Sequence, residues 1–306
     1  MPLVECVPNV SEGRRADVIA ACEAAIAGPG IHILDRSSDA AHNRTVYTFA
    51  GEPAPLRDAV LRLFAAVVDS IDLRTHDGLH PRIGAVDVVP FVPLRDTTMD
   101  DCVALAKSTA ALVADRFRVP IFLYEDAATS EERRSLSNLR RGGVNGVALR
   151  MKQPAWRPDF GPDQPHPTAG VTAVGARPIL IAYNVNLASN RIGVVQRIAR
   201  FIRESSGGLP HVKALGLQLD AGVIQVSMNL TDYKETSMTK VFDAIAREAA
   251  ADGVRVLESE IVGLVPADAL PADPVRRLKL RVQDLDRVLE KRLDITKHVE
   301  RKPNIT

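Results

Sequence analysis

Val212-Lys213-Ala214-Leu215-Gly216-Leu217-Gln218-Leu219-Asp220-Ala221-Gly222-Val223-Ile224-Gln225-Val226-Ser227-Met228-Asn229-Leu230 reads as two strands joined by a turn at Asp220-Ala221-Gly222. A strand, Ile179–Leu187, and a helix, Arg191–Glu204, precede it. A helix, Ser237–Ala251, and a β-rich run with a polar centre, Val254–Val265, follow it. The order β-α-β-β-α-β is that of the split βαβ, or ferredoxin-like, arrangement.

The first half carries the same order. Leu3 to Val7 reads as a buried strand ended by Pro8-Asn9. Ser11-Glu12-Gly13 is expected to open a helix whose apolar stripe is Val18, Ile19, Cys22 and Ile26, with Gly28-Pro29-Gly30 stopping it. Two β-rich runs, Ile31–Leu34 and Thr45–Phe49, flank a polar loop holding Asp39, His42, Asn43 and Arg44. A helix from Pro53 presents Leu56, Val60, Leu63 and Val67, and Val88–Pro93 is the next strand. A helix near 99–115 and a strand, Val119–Tyr124, extend this half, whereas 126–170 reads as irregular, with Arg133, Arg134, Arg140 and Arg141. The expectation is an α+β protein of two ferredoxin-like (βαββαβ) α/β subdomains, residues 1–177 and 178–306, with a ligand cleft between them. From Asp273 a charged amphipathic tail of mixed sign is expected to be a solvated helical surface.

The 306 residues are enough for two domains, each with its own core. Lys and Arg total 39 against 38 Asp and Glu, so the basic excess of a duplex-binding protein is missing. Aromatics at 4% are too few for single-strand stacking platforms, and nucleic acid is not an expected partner. Cys6, Cys22 and Cys102 are widely spaced with no CxxC, which suggests free thiols in a reducing cytoplasm. Met1-Pro2-Leu3-Val4-Glu5 lacks the basic flank of a signal peptide, and no apolar run approaches membrane-spanning length. A cytoplasmic location without membrane attachment is expected.

The chemistry concentrates in Thr75-His76-Asp77-Gly78-Leu79-His80-Pro81-Arg82-Ile83-Gly84-Ala85-Val86-Asp87, a loop delivered onto a strand. His80 is the favoured acid–base residue, because it titrates near neutrality and Pro81 restricts its backbone. His76 is its rival. Asp39, His42, Asn43 and Arg44 form a second cluster, equally readable as a polar turn. His42, His76 and His80 lack HExxH-type ligand spacing, so no metal is expected. Ser11 to Arg15 reads as a helix cap, and no glycine-rich nucleotide fingerprint occurs.

These segments resemble the formiminotransferase family. The resemblance rests on Val4-Glu5-Cys6-Val7-Pro8-Asn9 with Ser11-Glu12-Gly13, and on Asn43-Arg44-Thr45-Val46-Tyr47-Thr48-Phe49. It continues through Gly78 and His80-Pro81-Arg82 to Pro93, Asp159-Phe160-Gly161-Pro162, Gly175-Ala176-Arg177, and Val262-Gly263-Leu264-Val265-Pro266. It implies two α/β subdomains with a tunnel between them, His80 as the catalytic residue, and tetrahydrofolate as co-substrate. Its folate segments fall on Gly161-Pro162-Asp163-Gln164-Pro165-His166-Pro167-Thr168-Ala169-Gly170 and Gly207-Gly208-Leu209-Pro210-His211-Val212-Lys213-Ala214-Leu215-Gly216. The interior of each departs from the animal members.

The implied reaction moves a formimino group from N-formimino-L-glutamate to N5 of tetrahydrofolate, as in histidine degradation. His80 would accept the N5 proton and return one to the departing glutamate nitrogen. Glu5, Asp39 or Asp87 would stabilise the cationic amidine, and Arg44 and Arg82 would hold substrate carboxylates. The resemblance also implies a homodimer, and a separate cyclodeaminase for the next step, because the chain ends before such a domain. Two alternatives stay open at the level of sequence: another folate one-carbon reaction, such as formyl transfer or 5-formyltetrahydrofolate cyclisation, and a non-catalytic folate-binding protein.

Overall fold

Apolar alternation along the strands separates two hydrophobic cores in the first unit of this computed structural model, which describes residues 1–300 and side chains through residue 294. The chain divides into two units, Met1–Arg177 and Pro178 onward. The first contains β1 (Leu3–Cys6), β2 (Asn9–Val10), α1 (Ala16–Ile26), β3 (Ile31–Asp39), β4 (Arg44–Gly51), α2 (Pro53–Ser70) and β5 (Val86–Arg95). It continues with α3 (Met99–Phe117), β6 (Ile121–Glu125), the short helices α4 (Glu131–Arg134), α5 (Leu136–Arg140) and α6 (Gly143–Arg150), and β7 (Thr172–Ala176).

Strands β1 and β2 both lie between β4 and β5, β3 pairs with the outer side of β4, and β7 and β6 extend the sheet beyond β5 in parallel. Side chains of a strand alternate between faces. Ile121 and Leu123 accordingly join α1, α2 and α3 in the larger core. Phe122 and Tyr124 point the other way, onto Leu139, Val147, Met151 and Trp156.

Three expectations need correction here. Residues 126–170 are not uniformly irregular, since α4 to α6 occupy part of them. These helices run four to eight residues, too short to display a repeating apolar stripe. Nor does Ser11-Glu12-Gly13 open α1, which starts at Ala16 behind Arg15 with no side-chain cap. Ser11 Oγ instead donates to the Gly84 carbonyl at 2.7 Å. The polar loop after β3 is shorter than expected, because Asp39 and Arg44 form the last pair of the β3–β4 ladder.

The second unit contains β8 (Ile181–Ala188), α7 (Ile192–Ile202), β9 (Val212–Asp220), β10 (Val223–Leu230), α8 (Met238–Ala251), β11 (Arg255–Val262), α9 (Pro274–Leu278) and α10 (Leu289–Glu300). Its sheet is antiparallel throughout, in the order β11-β8-β10-β9. Ile224, Val226, Met228 and Leu230 of β10 share one core with α7 and α8. The neighbouring positions Gln225, Asn184 and Asn186 alternate to the other face and are also buried. The tail is not simply a solvated surface. Leu280 bridges Ser259, Val288 bridges Val265, and Leu278, Leu280, Val288 and Asp284 are all buried. Tail residues beyond Glu300 lie outside the described residues. No helix of the described residues is long and apolar enough to cross a membrane.

Candidate active site

The segment between α2 and β5 has almost no regular structure, so its shape depends on bonds to its neighbours. At its base, the Ser11 amide donates to the Ala85 carbonyl at 2.8 Å, the Ala85 amide to Ala169 at 2.9 Å, and the Val171 amide to Ile83 at 2.8 Å. Gly84 is required here, because a Cβ on it would lie 2.1 Å from the Val171 carbonyl oxygen. At the tip, the Leu79 amide donates to Ala41 and Asn43 Nδ2 to the Asp77 carbonyl at 2.9 Å. Gly78 allows this approach, since a Cβ would meet the His42 carbonyl oxygen at 2.6 Å. Loop and hairpin turn are thus locked together. The clusters separated in sequence, Asp39–Arg44 and Thr75–Asp87, come together in space.

Buried charge dominates this region. Asp87, 1% exposed, accepts from the Ile83 amide at 2.7 Å through Oδ1, and from Arg140 Nε at 2.9 Å and Nη2 through Oδ2. Arg82 braces the loop, donating to the His80 carbonyl at 2.9 Å and the His42 carbonyl at 3.0 Å while abutting the His76 ring. Arg44 differs: its Nε is buried with no hydrogen-bond partner among the described residues. Burial, and then Arg140, hold its guanidinium below the ordinary arginine value.

The His80 imidazole makes no hydrogen bond among the described residues. Burial pushes it down to about 3, reinforced by Arg140, Arg44, Arg82 and His42. It is therefore neutral at physiological pH and able to accept a proton, though far from the near-neutral value expected of it. His76 is also lowered, by burial and Arg82. His42 is taken by Asp39, with Nδ1 and Oδ2 2.7 Å apart. A cavity of about 340 Å³ beside the loop is bordered by Glu12, Arg14, Arg15 and His76, and both of its arginines are ion-paired, Arg14 to Asp77 and Arg15 to Glu12.

Gly161–Gly170 packs directly on this loop. The Leu73 amide donates to the Thr168 carbonyl at 2.8 Å, and Gly84 bridges Gly170. His166 closes the segment on itself, with Nδ1 accepting from the Ala169 amide at 3.0 Å. The preceding Asp159 has a structural task, since it is buried against Arg133 and accepts from the Leu123 amide. Glu5 is not brought to His80. It pairs with Val92 on β5, about 17 Å along the strand from Asp87 at ~3.4 Å per residue. Burial raises it to about 7 there, with Arg177 opposing.

Gly207–Gly216 lies in the second unit. It forms the turn after α7 and the first half of β9, where the Leu209 amide donates to Ile202. His211 Nε2 lies 2.9 Å from Glu235, and these two with Asp232 are the one metal-donor grouping among the described residues. The sequence reading missed Arg140. It stood in a stretch read as irregular, and no spacing marked it apart from Arg133, Arg134 or Arg141.

Residues 3–177 match the family model of the formiminotransferase domain, N-terminal subdomain, and residues 182–274 match that of the formiminotransferase domain. A glutamate formimidoyltransferase of Streptococcus pyogenes serotype M1 is 43% identical over 286 residues, 93% of this chain and 95% of that protein. One from Thermoplasma acidophilum is 41% identical over 304 residues, covering 98% of this chain and 100% of the relative. The formimidoyltransferase-cyclodeaminase of Sus scrofa is 43% identical over 276 residues, 88% of this chain but 51% of its own length.

Proposed function

The chain belongs to the formiminotransferase family, and from that premise we propose that it transfers the formimino group of N-formimino-L-glutamate to tetrahydrofolate, releasing L-glutamate and 5-formiminotetrahydrofolate. The observation that carries this reading is the similarity to two glutamate formimidoyltransferases over nearly their full lengths. The activity makes it a one-carbon-group transferase of histidine degradation, with tetrahydrofolate as co-substrate.

In the proposed mechanism, N5 of tetrahydrofolate attacks the formimino carbon while the neutral His80 imidazole accepts the N5 proton. Collapse of the tetrahedral intermediate breaks the bond to the glutamate nitrogen, which takes a proton as it leaves as an amine. The surplus of guanidinium groups around His80 suits a donor with two carboxylates. Arg82 serves in this scheme by fixing the loop, since its donors already hold backbone carbonyls. Asp39 and Asp87 are committed to His42 and Arg140, so neither is assigned to the amidine.

The proposal includes folate recognition by Gly161–Gly170 of the first unit and by Gly207–Gly216 of the second. A ferredoxin-like reading of each unit is supported by the order β5-β1-β4-β3 in the first and β11-β8-β10-β9 in the second. A homodimer in the cytoplasm and a separate cyclodeaminase for the next step belong to the same proposal. The test is direct: purified protein with N-formimino-L-glutamate and tetrahydrofolate should release glutamate in step with 5-formiminotetrahydrofolate. Turnover with N-formylglutamate, or cyclisation of 5-formyltetrahydrofolate, without formimino transfer would overturn it.

A further inference from the structure

We propose that Arg44 and Arg140 form the receptor for the α-carboxylate of the formimino donor, with Asp87 as the positioning residue that aims Arg140; this rests on the formimino-transfer reading. Arg44 opens β4 with a buried Nε that nothing satisfies, and its side chain has no ion pair among the described residues. Asp39 and Asp87 act on the guanidinium from a distance, but neither satisfies that nitrogen; a buried donor left unbonded is costly, and an anionic ligand offsets that cost. Arg140 reaches the same surroundings from the end of α5. Asp87 holds its Nε and Nη2, which leaves Nη1 to donate in a fixed orientation. Other arginines of the loop region are occupied: Arg82 on carbonyls, Arg14 on Asp77, Arg15 on Glu12.

Covalent structure decides which carboxylate fits. In N-formimino-L-glutamate the reacting nitrogen is bonded to Cα, and Cα carries the α-carboxylate. A base serving that nitrogen therefore has the carboxylate two bonds away. The carboxylates of folate are separated from N5 by a methylene bridge, a benzoyl ring and an amide. Cations that share the surroundings of His80 consequently meet the donor first.

The charged and titratable groups acting on His80 are Arg140 from α5, Arg44 from β4, Arg82 from its own loop and His42 from the adjoining hairpin; Asp39 and Asp87 act in turn on Arg44, and Asp77 and Asp87 on Arg82. With Asp77 matched to Arg14, three guanidinium groups, Arg44, Arg82 and Arg140, stand against two carboxylates, Asp39 and Asp87, so cations exceed anions. A bound carboxylate redresses that balance and increases the proton affinity of His80 when the donor is present, so the base strengthens on substrate binding.

The test uses the full chain with Arg44→Gln, Arg140→Gln and Arg140→Lys. Each Gln variant should raise the KM for N-formimino-L-glutamate roughly tenfold or more, the loss expected from one charge-assisted bond. Tetrahydrofolate Kd should stay unchanged, and Lys at 140 should fall between, because it keeps charge without the fork. In parallel, NMR titration of the His80 ring should show its pKa rising by roughly one pH unit with saturating L-glutamate in the wild type, and not in the Gln variants. Wild-type donor KM in both Gln variants, or a defect confined to mono- or polyglutamyl folate binding, would overturn the receptor. An inactive wild type would instead overturn the transfer reading. The L-glutamate titration would still decide the carboxylate site.

Discussion

The two units thread four strands in corresponding order but partner the polar groups of their sheets differently. In the second unit, Gln225 Nε2 donates to Asn186 Oδ1 at 2.9 Å and Glu260 Oε1 at 3.1 Å, and Asn184 Nδ2 reaches Glu260 at 3.0 Å. Arg281 pairs with both Glu258 and Glu260, so every charge of this cluster has an opposite charge within hydrogen-bond reach, two carboxylates sharing one guanidinium. The first unit pairs Asp87 with Arg140 and Asp159 with Arg133, yet leaves Arg44 Nε without a hydrogen-bond partner among the described residues and His80 among cations. A balanced network stabilises a fold by itself. An unsatisfied one has room for a ligand to complete it, which is why the proposed chemistry is assigned to the first unit.

The comparison breaks most sharply at His80. His80→Ala should lower kcat by roughly two to four orders of magnitude, the usual worth of a positioned acid–base group, with little change in folate Kd. His76→Ala should retain most of the activity, since that ring rests on Arg82. Steady-state kinetics showing the reverse pattern would move the catalytic role to His76.

Next in size is the backbone contact that presents the loop. A methyl group at Gly84 would meet the Val171 and Val86 carbonyl oxygens at 2.1 and 2.6 Å. Gly84→Ala should cost about 3 kcal/mol by denaturant unfolding and reduce transfer as well. Gly222→Ala, in the β9–β10 turn with open space around it, should leave transfer intact. Equal losses of transfer would contradict a special role for the first-unit loop.

The balanced network gives a smaller effect. Gln225→Leu strands the Asn186 and Glu260 acceptors and should cost about 1–2 kcal/mol, while the pH profile of kcat is unchanged. A profile displaced by this change would show that the second unit tunes His80.

The mildest effect concerns Glu5, whose folded value of about 7 lies above its ordinary one through burial, with Arg177 opposing. Between these values the folded protein holds a proton that the unfolded chain releases. The stability so provided is present below about pH 4.5 and is lost as pH rises through about 7. Glu5→Gln should therefore raise Tm more at pH 8 than at pH 5 by scanning calorimetry. A gain confined to acid pH would reverse the assignment.

Elements with long stripes were legible in the chain. Leu56, Val60, Leu63 and Val67 repeat at helical spacing and do line α2, and the Asp220-Ala221-Gly222 turn joins β9 to β10. Helices α4 to α6 were not legible, because elements of four to eight residues show too little of a period. Ser11 was misread for a related reason. A serine before a helical stripe has the signature of a cap, but its hydroxyl is drawn to the Gly84 carbonyl, 73 residues away.

Sequence alone determined the β-α-β-β-α-β order within each unit, though not β2, β7 or helices α4 to α6, together with the concentration of titratable groups in Thr75–Asp87 and His80 as the favoured residue, because each of these depends on residue type and local spacing. Only the tertiary structure decided that Asp39–Arg44 and Gly161–Gly170 close on that loop. It alone separated Arg82, spent on carbonyls, from Arg44, whose Nε has no hydrogen-bond partner among the described residues, and supplied Arg140 from a helix that no pattern announced. The reason is physical: periodicity records which face a side chain presents, whereas the proton affinity of His80 is set by burial and by charges that arrive from strands and helices distant along the chain.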